Sequence, residues 1–190
     1  GSIQRHDSSA VLGLVCHDEE TKQIAEKWVD NSVKVIGLNE IEEFYPRLKA
    51  LKLDRPKLEF IYSLSPYIVK YFFEAYKPQS VTYVDADLYF YKSVGDVVNL
   101  AEASDVGIVG HRFKLKMKHL EKFGIYNVGL VHFNNTMGGQ KILDFWLDSC
   151  SNSTSTNPSE EVFGDQKYLD KFSTIGKVHI FHSSGVNAAP

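Results

Sequence analysis

Short runs of β-branched and aromatic residues alternate along this chain with stretches whose apolar positions recur every three or four residues. The first pattern fits strands and the second amphipathic helices. Val11 to Cys16 and Val33 to Ile36 read as strands; between them, Glu20 to Asn31 carries Ile24, Ala25 and Trp28 at helical spacing. Ile41 to Leu51 predicts a helix interrupted near Pro46. Ser65-Pro66 predicts a helix start, with Ser65 as cap and Pro66 in the first position. Ile68, Val69, Phe72, Phe73 and Tyr76 then form one apolar stripe, ended by Lys77-Pro78. A strand follows within Ser80 to Tyr91, then a helix near Val94 to Ala103 and strands over Val106 to Gly110 and Val128 to Phe133. An amphipathic helix over Gly139 to Cys150, a helix over Asp165 to Lys171 and a strand over Val178 to His182 complete the pattern. Such alternation predicts helices on both faces of a largely parallel sheet, in one domain spanning residues 1–190.

Composition narrows the class. A chain of 190 residues with 43% hydrophobic and 24% charged residues is built like an ordinary globular domain with a substantial core. The net charge of −3 gives no reason to expect a nucleic-acid partner. No apolar run reaches the length of a membrane span, so no integral membrane segment is expected. Cys16 and Cys150 read as reduced packing residues, which favours a cytosolic setting. Gly1-Ser2 reads as a cloning remnant, and Ser151 to Ser159 is a polar loop.

The chemistry centres on Asp85-Ala86-Asp87. Residues two apart on an extended backbone point to the same side, so both carboxylates can converge at the carboxyl end of an apolar strand. A hard divalent cation, Mg²⁺ or Mn²⁺, would compensate their repulsion and in turn hold a phosphate. Arg112 follows a strand and suits a forked phosphate contact or, equally, a solvated basic loop with Lys114, Lys116 and Lys118. Asn127 offers donor and acceptors to sugar hydroxyls, and Gly129 permits close backbone approach; a turn Asn and a strand bulge explain the same residues. Asp165 reads either as a helix N-cap or, with Gln166, as part of a cleft beside a reacting bond. His182, at a strand end before a loop containing Gly185, could complete a metal site with the aspartates.

Four segments taken together, Val84 to Phe90, Tyr126 to Asn135, Phe163 to Asp170 and His182 to Asn187, resemble in order and spacing the nucleotide-diphospho-sugar transferases of GT-A fold. The chain looks closest to a bacterial, glycogenin- and galactosyltransferase-like (family 8-like) branch. The resemblance implies a Rossmann-like α/β/α sandwich around a central, mostly parallel mixed sheet, here lacking the first strand and cut short at both ends. It implies that Asp85, Asp87 and His182 hold Mn²⁺ or Mg²⁺ against the donor diphosphate. Asn127, Gly129, Gly185 and, on a weaker match, Arg112 would contact substrate, and Asp165 and Gln166 would lie beside the anomeric carbon. The implied partners are a nucleotide-diphosphate sugar and a saccharide, lipid-linked or protein acceptor, with retention of configuration favoured. The implied role is surface polysaccharide or glycoconjugate synthesis, in the cytoplasm or peripheral at the inner face of the membrane. Two other readings stand beside it: a haloacid-dehalogenase-type phosphatase with Asp85 as nucleophile and Asp87 as acid/base, and a non-catalytic domain that binds sugar nucleotide.

Overall fold

The computed structural model of the chain describes residues 1–8, 10–159, 161–182 and 185–186. The alternating pattern yields the expected α/β architecture, with the strands falling into two sheets. After a short helix α1 (Ser2–His6), strand β1 (Leu12–Cys16), helix α2 (Glu19–Trp28) and strand β2 (Val33–Gly37) form a βαβ unit. β1 and β2 run parallel, Leu12 opposite Val33. Asp18 starts α2 by accepting the Thr21 N–H at 2.7 Å. Gly13 is required in β1 by the ring of Phe72, which would lie 2.1 Å from any Cβ placed there.

Helices α3 (Leu38–Phe44) and α4 (Pro46–Asp54) part at Pro46, as the sequence predicts. The next helix differs from expectation: α5 runs over Lys57–Tyr76, and Ser65 and Pro66 lie buried in its middle. An internal proline costs roughly 3 kcal/mol. Phe60, Leu64 and Tyr67, each 5% exposed or less, return roughly 2 kcal/mol apiece when buried, so the helix extends upstream through the proline. It ends as predicted, at Lys77 in the left-handed conformation with φ 49°.

The second half contains β3 (Ser80–Val84), α6 (Gly95–Ala101), β4 (Val106–Gly110), a run of 3₁₀ turns over Leu115–Phe123, β5 (Tyr126–Asn134), α7 (Met137–Asn152), a second 3₁₀ run over Lys167–Thr174, and β6 (Val178–Phe181). The expected helix over Asp165 to Lys171 is thus a 3₁₀ segment, and Gln166 rather than Asp165 occupies its N-cap. The sheet order is β3-β5-β4-β6. β5 is antiparallel to both β3 and β4, while β4 and β6 are parallel. The carboxyl ends of β3, β4 and β6 therefore meet at one end of the sheet, where β5 begins.

Alternating side chains put one face of this sheet under α5 and α7 and the other under α6. The first face holds Val106, Ile108, Val131 and Phe133 with Trp146 and Phe172; the second holds Val109, Leu130 and Phe181 with Val97 and Ala101. A third cluster packs Ile36 of β2 against Ile41, Leu48 and the α5 residues Phe60, Leu64, Tyr67 and Tyr71. α5 belongs to two of these cores, because its Val69 and Phe73 enter the first.

Candidate active site

The segments bearing Asp85, Arg112, Asn127 and His182 reach the end of the sheet where β3, β4 and β6 finish. Asp85 and Asp87 follow β3, Arg112 follows β4, His182 and Gly185 follow β6, and Asn127 and Gly129 open β5. Open α/β sheets bind ligands at this end.

Asp85 continues the β3 ladder: its N–H donates to the Gly129 carbonyl at 3.0 Å, and six residue pairs away the Asn135 N–H donates to the Gln79 carbonyl at 2.8 Å. Odd-numbered β3 residues thus face β5 with their backbone groups. The N–H and C=O of Ser80, Thr82 and Val84 point to the outer edge, where no described strand pairs. Opposite Asp85, β5 buckles. Ile108 of β4 pairs with Val131 but Val109 pairs with Asn127, so Val128 to Leu130 bulge out of the β4 ladder while Leu130 stays paired with Val84 of β3. The Asn127 side chain accepts the Gly129 N–H and braces the bulge. The bulge reading of Asn127 and Gly129 is what the structure shows. Such bulges occur often beside active sites, where they re-aim neighbouring groups.

Asp85, Ala86 and Asp87 are exposed. Crowding by the surrounding protein raises the Asp85 carboxyl above the ordinary carboxylate range; the charge of Asp87 adds to this, and a hydrogen bond from the Tyr83 hydroxyl at 3.1 Å opposes it. Two neighbouring carboxylates are an oxygen donor set for a hard cation. Mg²⁺ is commonly held by one or two carboxylates, with water and substrate phosphate completing the shell. The pair fits that role.

The three-ligand set expected from the sequence is not gathered. Among the described residues no three His, Cys, Asp or Glu side chains come close enough to share an ion. The sheet order gives the reason, since β5 and β4 separate β3 from β6, which is roughly 14 Å at about 4.8 Å per strand. His182 is exposed at the end of β6; Ser183, Ser184 and Asn187 lie outside the described residues. Val186 packs against the cluster of Val97, Ala101, Val109, Leu130 and Phe181, and its carbonyl accepts from Arg112 Nη2 at 3.1 Å. Arg112 holds φ at 52°, a left-handed conformation that costs a non-glycine residue roughly 1 kcal/mol. Strain of this kind concentrates at binding sites.

Asp165 and Gln166 do not open onto a cleft. Asp165 is 6% exposed, and its Oδ2 lies 2.6 Å from the Ser65 hydroxyl of α5. Gly164 turns the chain inward at φ 54°, and the Trp146 indole donates to the Asp165 carbonyl at 2.9 Å. Burial pushes the Asp165 carboxyl up to about 7; nearby Asp85 adds to the shift, and the Ser65 contact opposes it. The Gln166 amide donates to the Phe123 carbonyl at 2.8 Å, and the side chain also bonds His111, whose ring burial holds below its usual pKa. Both residues therefore brace the site from inside. Two residues that the sequence reading left out stand between Asp165 and the exposed pair, Ser65 on α5 and Tyr83 on β3. Tyr83 could have been found, because it precedes Asp85 by two on a strand and shares its face.

No helix among the described residues is long and apolar enough to cross a membrane. No family model matches the chain. The chain is similar to YfnF, an uncharacterized protein of Bacillus subtilis (strain 168), with 24% identity over 184 residues. That alignment covers 92% of this chain and 59% of the relative, so the chain spans well under two thirds of the protein it matches.

Proposed function

We propose that this chain forms the donor-binding part of a metal-dependent glycosyltransferase that uses a nucleotide-diphosphate sugar. One observation carries the reading: an exposed Asp85/Asp87 pair stands at the carboxyl end of β3, on the sheet end shared with Arg112, the Asn127–Gly129 bulge and Gly185. Asp85 and Asp87 would hold Mn²⁺ or Mg²⁺, which supplies Lewis-acid neutralisation of the departing diphosphate. Arg112, fixed beside the Val186 carbonyl, would add positive charge near the phosphates. The bulge would hold the Asp85 backbone in place through the Gly129 carbonyl, Gly129 itself being buried. Because Asp165 is buried, it does not serve as a general base at the acceptor hydroxyl. This favours a retaining reaction in which the leaving phosphate oxygen takes the acceptor's proton. The acceptor is a saccharide, lipid-linked or protein hydroxyl. Cys16 and Cys150 are free and buried, in keeping with a cytoplasmic setting.

Calorimetry with nucleoside diphosphates and Mn²⁺ tests the reading. Binding is expected for the wild-type chain and is expected to be lost in Asp85→Ala and Asp87→Ala. A release assay separates reaction types, since nucleoside diphosphate freed from a sugar nucleotide supports transfer. Phosphate freed from a phosphomonoester, with no sugar-nucleotide turnover, refutes it.

A further inference from the structure

The 3₁₀ run Leu115–Phe123 joins β4 to β5 and so stands at the sheet end that carries Asp85 and Asp87. Residues 112–122 hold five of the chain's 21 lysines and arginines and one of its 24 aspartates and glutamates, which leaves 16 against 23 elsewhere. Positive charge is thus concentrated on one connection of an otherwise acidic protein.

A 3₁₀ helix has three residues per turn, so its side chains fall into three rows. Met117, Leu120 and Phe123 form the inner row and are half-buried, while Lys116, His119 and Lys122 form a second row that is exposed throughout. Leu115 and Lys118 begin the third, which ends at Glu121, and Lys118 reaches that carboxylate at 3.9 Å. Among the described residues no carboxylate pairs with Lys114, Lys116 or Lys122. Leu115 stands between two lysines and is 86% exposed. The run is anchored at its end: the Gln166 amide donates to the Phe123 carbonyl at 2.8 Å, and the Phe123 and Phe163 rings lie 4.7 Å apart. A second basic stretch, residues 47–57, is spent differently. There Lys52 pairs with Glu42 at 2.6 Å, Arg47 donates to Asn152 at 3.0 Å, and Arg55 turns inward to Ser63 and Thr154.

We propose that the Leu115–Phe123 run docks this protein on an anionic membrane surface. Lys114, Lys116, Lys118 and Lys122 lie against the lipid phosphates, and Leu115 enters the boundary between headgroups and acyl chains. The chemistry of the run selects this partner. Clustered lysines beside a negatively charged leaflet each add attraction. An exposed leucine among them gains nothing from a soluble polyanion, and it leaves water when it meets a bilayer. Resting on the donor-site reading above, docking holds the Asp85/Asp87 end of the sheet close to the membrane, which narrows the acceptor to a lipid-linked hydroxyl.

The test is co-sedimentation of the chain with vesicles of phosphatidylcholine mixed with phosphatidylglycerol, and with vesicles of phosphatidylcholine alone. Binding is expected to the mixed vesicles only, and is expected to disappear at about 1 M salt, where the Debye length is about 3 Å. The Lys116→Ala/Lys118→Ala/Lys122→Ala variant should bind roughly a hundredfold more weakly, at roughly fivefold per lysine. Leu115→Ser is expected to weaken binding several-fold. Lys49→Ala/Lys57→Ala/Lys141→Ala removes the same charge from other exposed positions and should bind like the wild type. Circular dichroism melts verify that each variant folds. Failure of the wild-type chain to bind the mixed vesicles, or equal weakening in the two triple variants, overturns the docking site. Unchanged binding in Leu115→Ser overturns the bilayer in favour of a soluble polyanion. Calorimetry with nucleoside diphosphate and Mn²⁺ separates this from the donor site, and the Lys116→Ala/Lys118→Ala/Lys122→Ala variant should bind them as the wild type does. If the wild-type chain binds vesicles and no nucleoside diphosphate, the donor-site reading falls and the docking site stands. If it binds nucleoside diphosphate and no vesicles, the docking site falls and the donor-site reading stands.

Discussion

Replacing Asp165 by Asn should change how the stability of this protein depends on pH. The Asp165 carboxyl has a folded-state pKa of about 7 against an ordinary 3.8, and burial is the main cause. The folded state therefore binds this proton more tightly than the unfolded chain does. Stability from this group is fully present below pH ~4, falls as pH rises toward ~7, and stays low above that. Roughly three pKa units at 1.36 kcal/mol each give a total loss of about 4 kcal/mol. About 3 kcal/mol of it falls between pH ~5 and ~8. Asn has the same shape and is neutral throughout, so it escapes this loss. Urea unfolding of both proteins across that range measures the difference directly, and subtraction removes the titration of groups that do not interact with Asp165, leaving its own and its coupling to Asp85. The Asn variant should gain about 3 kcal/mol relative to wild type from the acid to the alkaline end. A difference that stays flat with pH would mean that Asp165 titrates normally and is not enclosed as described. A difference of opposite slope would mean that the folded state stabilises its charge.

Three further changes probe the frame around the site. Arg55 donates to Ser63 Oγ, Thr154 Oγ1 and the carbonyls of Cys150 and Ser151, all between 2.6 and 2.9 Å. Arg55→Met should therefore cost roughly 3 kcal/mol in chemical denaturation; a loss below ~1 kcal/mol would show that water replaces the guanidinium at little cost. Gly13→Ala drives a methyl into the Phe72 ring, and a loss of about 1–3 kcal/mol is expected from overpacking, read as a lowered Tm. At Arg112, Gly should leave the protein about 1 kcal/mol more stable than Ala, because only glycine adopts φ 52° without strain. Equal stability of the two variants would mean that the loop relaxes out of the left-handed region.

The fold was largely legible because the apolar spacing is strong. Each strand core, and the break at Pro46, came from positions that the interior needs. The start of α5 was not legible. Ser65-Pro66 carries a genuine helix-start signal, and only the three-dimensional burial of Phe60, Leu64 and Tyr67 overrides it. The same misreading hid part of the site, since a serine assigned to a cap is not sought as a partner of a distant carboxylate. Asp165 illustrates a different limit. Its place before a helix-like stretch fits a cap or a cleft residue equally well, and the choice is made by Gly164 and by the Trp146 indole pinning its carbonyl. His182 was grouped with Asp85 and Asp87 because all three follow strands. Sequence order says nothing of the two strands lying between them.

The division of the strands into two sheets also bears on motion. No ladder joins the β1–β2 pair to the sheet that carries the aspartates, among the described residues. α5 is the wall they share, with Phe60, Leu64, Tyr67 and Tyr71 on one side and Val69 and Phe73 on the other. A helix used in this way is a seam. The smaller sheet can open as a unit of its own, with its amides exchanging ahead of those in β4 and β5, while Asp85 stays in the ladder opposite Gly129. The protein can breathe in one half and keep its aspartate pair in register in the other.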